Sequence, residues 1–268
     1  LQKKITVTEA LILFVQDCLF SLKTFAMKRI HFFIVLALAG ITMLAAFREP
    51  VLQQNVLNGA WQTKNGNEQQ VLLFQDGYVT HTLFDKEGRR FLQTRGGTYS
   101  VQPGKLEMRI EFDTKDKEKV GTAETYSYST QGGRLTTSLS GKEAAWERVD
   151  EGKEGLSGLW EITARKGENG LTPIHRTGTR KTVKILSGSR FQWAAIDPGT
   201  KQFMGTGGGT YTFKDGKYTE NIEFFSRDSS RVGSSLSFDG KLEAGDWHHS
   251  GLSSRGEPIY EVWSRKNK

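Results

Sequence analysis

Between Gly59 and Arg265, short stretches of alternating apolar and polar side chains are cut by turn-forming residues. The turn signals are Gln75-Asp76-Gly77, Lys86-Glu87-Gly88, Pro103-Gly104, Gly132-Gly133, Asp197-Pro198-Gly199, Lys214-Asp215-Gly216 and Asp239-Gly240. A period of two predicts strands, and short strands separated by regular turns predict an all-β sandwich or barrel. No stretch in this span carries a helical period. The clearest strand is Leu106–Phe112, where Leu106, Met108, Ile110 and Phe112 share one face and Glu107, Arg109 and Glu111 share the other. Side chains alternate faces along a strand, so the apolar set is expected to face the interior.

The pattern occurs twice. Gly96-Gly97-Thr98-Tyr99 returns as Gly208-Gly209-Thr210-Tyr211, Ile110-Glu111-Phe112 as Ile222-Glu223-Phe224, and Val120-Gly121-Thr122 as Val232-Gly233-Ser234, all at equal spacing. Each copy opens on Gly-x-Trp (Gly59-Ala60-Trp61, Gly158-Leu159-Trp160) and closes on Trp-x-Arg (Trp146-Glu147-Arg148, Trp263-Ser264-Arg265). Two domains follow, residues 59–149 and 156–265. They are joined by a charged, glycine-bearing linker at 150–155 that is expected to be exposed.

The N-terminal region has a different texture. Met27, Lys28 and Arg29 precede an apolar run over 32–47 that ends near Ala45-Ala46, the order of regions in a secretory signal peptide at 27–46. Residues 1–26 then read as upstream sequence wrongly joined to the gene. The alternative is a membrane anchor formed by 32–47, although a run of about 16 residues is shorter than the ~20 of a usual spanning helix. The only cysteine, Cys18, lies in the upstream segment, so the domains hold no disulfide and rely on their cores.

Charge excludes one class of partner. The net charge is +7, and without the five basic and two acidic residues of 1–46 there remain 32 basic and 28 acidic groups, a net +4. A mild excess spread along the chain is not the clustered stripe that nucleic acid requires. Gly-x-Ser-x-Gly, the phosphate-binding Gly-rich loop and His-Glu-x-x-His are all absent. Gly205-Thr206-Gly207-Gly208-Gly209 precedes a strand and reads as a turn or bulge. No cofactor is expected.

A domain that begins and ends on Trp-bearing strands can pair those strands and close into an up-and-down barrel. The Gly-x-Trp opening, the antiparallel hairpins and the closing Trp-x-Arg strand resemble a lipocalin-like (calycin-type) domain. That resemblance implies that Trp61 packs against Arg148, and Trp160 against Arg265, at the barrel base. The strings Gly-Gly-Thr-Tyr, Tyr218-Thr219-Glu220-Asn221-Ile222-Glu223 and Glu261-Val262-Trp263-Ser264-Arg265 also resemble a lipocalin-like family of exported Gram-negative proteins with no assigned activity.

The copies differ where chemistry would sit. In the register of Leu106–Phe112, the second copy turns Tyr218, Glu220, Ile222 and Phe224 inward, and Glu220 takes the place of Met108. An inward carboxylate is costly unless it is paired, hydrogen-bonded or neutralised. It is either a recognition group in a polar cavity or a structural ion pair. Glu223 is expected on the surface or in inter-strand pairing. Trp193 is set against Thr80 as an aromatic cavity wall. His175, Arg176, Arg180 and Lys181 fall in an insertion: 36 residues separate Trp61 from Gly97, but 49 separate Trp160 from Gly209. The adjacent His248 and His249 face opposite sides of a strand and do not make a metal site. One is expected to line the cavity and the other to meet solvent.

These readings lead to an exported tandem barrel protein whose second domain binds a small, partly apolar ligand. Its expected lining is Trp193, Tyr218, Glu220, His175, Arg176 and His248, with the first domain mainly structural. Two rivals stay open. One is an interaction module with filled barrels, and the other is an acid–base enzyme using Glu220 with a histidine.

Overall fold

The computed structural model describes residues 56–168, 170–175, 178–253 and 255–265. The upstream segment 1–26, the leader 27–46 and the anchor 32–47 lie outside the described residues. The first barrel consists of β1 (Gly59–Asn65), β2 (Glu68–Gln75), β3 (Tyr78–Asp85), β4 (Arg90–Gln102), β5 (Lys105–Asp113), β6 (Ala123–Gln131), β7 (Arg134–Thr137) and β8 (Ala144–Asp150). The strands pair antiparallel in chain order, and β8 returns to β1 to close the barrel. The second domain has β9 (Gly158–Gly167), β10 (Gly170–Pro173), β11 (Lys181–Leu186), β12 (Arg190–Asp197), β13 (Gln202–Lys214), β14 (Lys217–Phe225), β15 (Ser235–Glu243), β16 (Asp246–Leu252) and β17 (Pro258–Arg265). It closes through β17 and β9. Closure removes the exposed strand edges that would otherwise invite pairing with other chains. The two all-β, eight-stranded closed barrels fit a lipocalin-like fold.

The insertion in the second copy becomes β10 and the segment after it. β11 pairs with the first half of β9 (Gly158–Glu161), while β10 pairs with its end (Ala164–Gly167) and so lengthens the wall at the barrel mouth. At the opposite end the implied base contacts are present in both copies. The Arg148 guanidinium lies 4.0 Å from the Trp61 ring centre, and that of Arg265 lies 4.6 Å from Trp160. Each Trp donates its indole N–H to the carbonyl four residues back, Leu57 or Leu156.

The Gly-Gly-Thr-Tyr signature has a structural cause. In β5, Ile110 pairs with Gly97 and Phe112 with Gly96, leaving Glu111 as an extra residue; in β14, Glu223 is the extra residue between Ile222 and Phe224. These are β-bulges, and each brings its strand against the partner backbone. A Cβ on Gly97 would run into the Arg109 carbonyl, and one on Gly209 into the Asn221 carbonyl. Only glycine fits there.

The bulge also corrects two expectations. It reverses the alternation, so Phe112 and Phe224 leave the lumen and join an apolar cluster between the barrels with Val71, Leu73, Phe84, Val183, Ile185 and Ile196. Glu223 points away from its own lumen, as expected, but is buried rather than at the surface. It accepts from Lys86 and Arg190, each at 2.8 Å. In matching fashion Glu111 accepts from Lys181 at 2.8 Å and from the Tyr78 hydroxyl at 2.7 Å. Each bulge carboxylate thus takes one cation from the other barrel, which gives the interface an approximate twofold character. Gln192 joins it by donating to Thr94 and Thr206, both at 3.0 Å, while Thr82 donates to its oxygen. The linker 150–155 is correspondingly not a free tether. Asp150 accepts from Ala60, Gly152, Gly188 and Ser189 backbone N–H groups, and Gln75 donates to the Gly152 carbonyl.

Candidate functional site

Ladder pairs fix which residues correspond between the barrels. Leu72 pairs with Trp61 as Lys184 pairs with Trp160, and Met108 pairs with Tyr99 as Glu220 pairs with Tyr211. Thr137 and Ala144 pair as His249 and Glu261 do. Four positions that are apolar or small in the first barrel therefore carry ionisable groups in the second. In the first lumen Leu72 and Met108 pack with Ile110, Leu135 and Trp146 in one buried cluster.

In the second lumen Lys184 Nζ donates to Glu220 Oε1 at 2.8 Å, with side chains only 5% and 7% exposed. The inward carboxylate expected at Glu220 is in place, and its partner is Lys184. Aromatic faces surround the ammonium, with the ring centres of Tyr218, Trp247 and Trp263 at 5.3, 5.2 and 5.0 Å. That arrangement stabilises a desolvated cation beyond its ion pair. A second pair lies alongside: His249 Nδ1 is 3.6 Å from Glu261, which also takes Arg165 at 3.2 Å and the Trp263 indole N–H at 3.1 Å.

Burial lowers the pKa of His249 and so favours its neutral form. Burial pushes the Glu261 carboxyl up, but His249, Lys184 and Arg165 outweigh it and hold it below the ordinary carboxylate value. Burial, followed by the Glu220 charge, raises the Tyr218 phenol well above its usual value. Trp247 Nε1 and His249 Nε2 are buried without a hydrogen-bond partner among the described residues. Such groups are uncommon in folded proteins and cluster where function or bound molecules explain them.

The mouths differ in the opposite sense. Arg95, Asp113 and Glu124 of the first barrel correspond to Gly207, Phe225 and Leu236 of the second, and His81 corresponds to Trp193. Across the first mouth, Arg95 donates to the Leu139 carbonyl, lies 3.5 Å from Glu124 and stacks 5.1 Å from the Tyr126 ring centre. His81 is buried beneath it, its pKa lowered to about 3 by burial and then by the Arg95 charge. A depression of about 420 Å³ at this mouth is lined by His81, Arg95, Asp113 and Lys119.

In the second barrel Gly207 takes the place of Arg95. Trp193 and Phe225 meet edge to face at 5.5 Å beside Gly207, where an added Cβ would press on both rings at 2.8 and 2.9 Å. A cavity of about 390 Å³ opens here, with walls that include Trp193, Met204, Ile222, Phe225, Leu236 and Ile259. Lys184, Glu220, His249 and Glu261 form its polar depth, and Arg165, Arg180 and Arg227 stand around its exposed edge. The volume falls within the ~300–1,000 Å³ of small-molecule sites, and the lining is divided evenly between apolar residues and polar or charged ones.

Of the expected lining residues, the structure brings Trp193 and Glu220 into this cavity. Tyr218 lies deeper, fully buried and edge-on to Trp247 at 4.8 Å. His248 faces away, with Nδ1 2.9 Å from the Tyr260 hydroxyl, and His249 takes the inward place. His175 is exposed in an adjoining depression of about 330 Å³ that shares Arg165, Arg180 and Thr182 with the cavity. Arg176 lies outside the described residues. Trp193 corresponds to His81, not to Thr80, because Thr80 corresponds to Gln192. Sequence reasoning missed Lys184, His249 as the lining histidine, Glu261, Gly207 and Arg227. The signal was available, since the repeat spacing that aligns Met108 with Glu220 also aligns Leu72 with Lys184 and Thr137 with His249. No protein-family model and no curated protein matches the chain.

Proposed function

We propose that this is an exported tandem barrel protein that binds one small, partly apolar molecule in its second barrel, with the first barrel serving as a packed support. The observation that carries the reading is the open cavity of the second barrel, at the level where Arg95 covers the first. Half-buried Trp193, Met204, Phe225, Leu236 and Ile259 give the ligand an apolar wall, and Glu220 with Lys184 gives it a polar end point. The acid–base alternative is less well supported. Glu220 is engaged by Lys184, and the histidine of the cavity faces Glu261 instead. The filled-barrel alternative suits the first domain and not the second.

Export rests on the leader-like segment 27–46 and on the resemblance to exported Gram-negative proteins. Native mass spectrometry on the full chain, isolated from its own host's periplasm, tests both parts. A copurifying mass that is absent from a Trp193→Ala and Leu236→Ala variant supports the reading. An empty wild type that also ignores an apolar dye refutes the binding role, and recovery only from the membrane fraction refutes the cleaved leader.

A further inference from the structure

The proposed ligand site has a charge imbalance that names the ligand class. Each acid on the cavity surface is matched: Glu220 by Lys184 at 2.8 Å, and Glu261 by Arg165 at 3.2 Å. Two lining cations are left over, Arg180 and Arg227. Among the described residues no carboxylate lies within ion-pair distance of either, and Arg227 is oriented by its Nε, which donates to the Met204 carbonyl. The remaining guanidinium nitrogens of Arg227 stay available at the edge of an apolar cavity.

An anion is recognised by guanidinium groups that have no carboxylate partner of their own. The depth of the lumen offers no such place. Lys184 is occupied by Glu220, the nearby Glu261 repels a second negative charge, and burial favours a neutral His249. We infer that the ligand of the second barrel is an amphiphile with an oxyanion, held head-outward by Arg180 and Arg227 with its apolar body between Trp193, Phe225, Leu236 and Ile259. This inference rests on the binding function proposed above and adds the charge and orientation of the ligand. Carboxylate, sulfonate and phosphate ester share the required chemistry.

A matched pair of dyes separates the inference from the reading beneath it. 8-Anilinonaphthalene-1-sulfonate and N-phenyl-1-naphthylamine share an aromatic body, and only the first carries an oxyanion. Fluorescence titration of the full chain is expected to give the sulfonate at least about tenfold tighter binding than the neutral dye. Arg180→Gln with Arg227→Gln, both exposed positions, should remove that advantage while changing the neutral dye by less than about twofold. Lys115→Gln with Lys117→Gln removes equal charge near the other mouth and should change neither dye. Equal binding of the two dyes, or sulfonate binding insensitive to the arginine variant, overturns the anionic class and leaves a binding cavity standing. Failure of both dyes to bind overturns the cavity reading itself.

Discussion

The two barrels keep one scaffold and exchange the placement of polar groups. The first has an apolar, close-packed lumen under a mouth held by Arg95, Glu124 and Lys119. The second has Lys184, Glu220, His249 and Glu261 in its lumen under a mouth walled by Trp193, Phe225 and Leu236. Both retain the Trp–Arg base, the Gly-Gly bulge and the Asp-capped 3-10 turn at Lys117–Lys119 or Ser229–Arg231. Features common to both barrels therefore belong to folding and docking. Lumen and mouth positions are where they part, and the proposed binding function is placed there.

The sharpest way to break this comparison is to give the second lumen the residues of the first. Removing one member of the Lys184–Glu220 pair, as in Glu220→Ala or Lys184→Met, leaves a buried charge and should cost about 3–5 kcal/mol. Lys184→Leu combined with Glu220→Met restores an apolar pair and should be neutral or up to about 4 kcal/mol more stable than wild type. Urea denaturation of the three variants decides it. A double variant as unstable as the singles would show that the pair is required by the scaffold and not kept for a ligand.

That a carboxylate turns inward at Glu220 was legible in the sequence, because its strand carries four alternating positions and a matched copy. Lys184 was not. Its neighbours Val183 and Ile185 are apolar because they pack against the first barrel, so alternation there marks the docking face as strongly as a core. The same docking hid Phe112, Phe224 and Glu223, where one bulge residue reverses the faces that a period of two assigns. Closure was readable from the Trp-bearing strands that open and close each domain, and the Trp61–Arg148 and Trp160–Arg265 contacts followed from the lipocalin-like resemblance. Parity alone does not separate His248 from His249, whereas the repeat spacing that sets His249 against Thr137 does.

The mouths give the next test. Arg95→Gly places the Gly207 equivalent in the first barrel and removes a charged hydrogen bond, an ion pair and a strand side chain. A loss of about 2–3 kcal/mol is expected, read from the denaturation midpoint. Retained stability together with a second equivalent of bound neutral dye would mean that Arg95 covers a usable cavity, and the asymmetry of function would fall.

Acid should expose a smaller difference. The folded pKa of His81 is near 3 and its unfolded value near 6.5, so below pH 6.5 the unfolded chain takes up a proton that the folded chain refuses. The stabilisation is complete well above pH 6.5 and is lost as pH falls toward 3, the loss reaching about 2 kcal/mol by pH 5. His249 is shifted in the same direction but faces Glu261 and Glu220, which offset burial, so its share should be smaller. Thermal melting at pH 7 and pH 5 should show His81→Gln flattening the pH dependence more than His249→Gln. The reverse ranking would place the more desolvated histidine in the second barrel.

The smallest effect separates the two neighbouring histidines. His248 is half-buried on the outer face against Tyr260, and its removal deletes one solvent-accessible hydrogen bond. His248→Ala should change stability by less than about 0.5 kcal/mol and leave dye affinity unchanged. His249→Thr, the residue of the first barrel, alters the cavity wall and should change affinity for the neutral dye with stability nearly preserved. Strand parity makes the two positions one residue apart in sequence and a barrel wall apart in space. Dye titration of the two variants reads that wall directly, and an equal response from both would place the ligand outside the lumen.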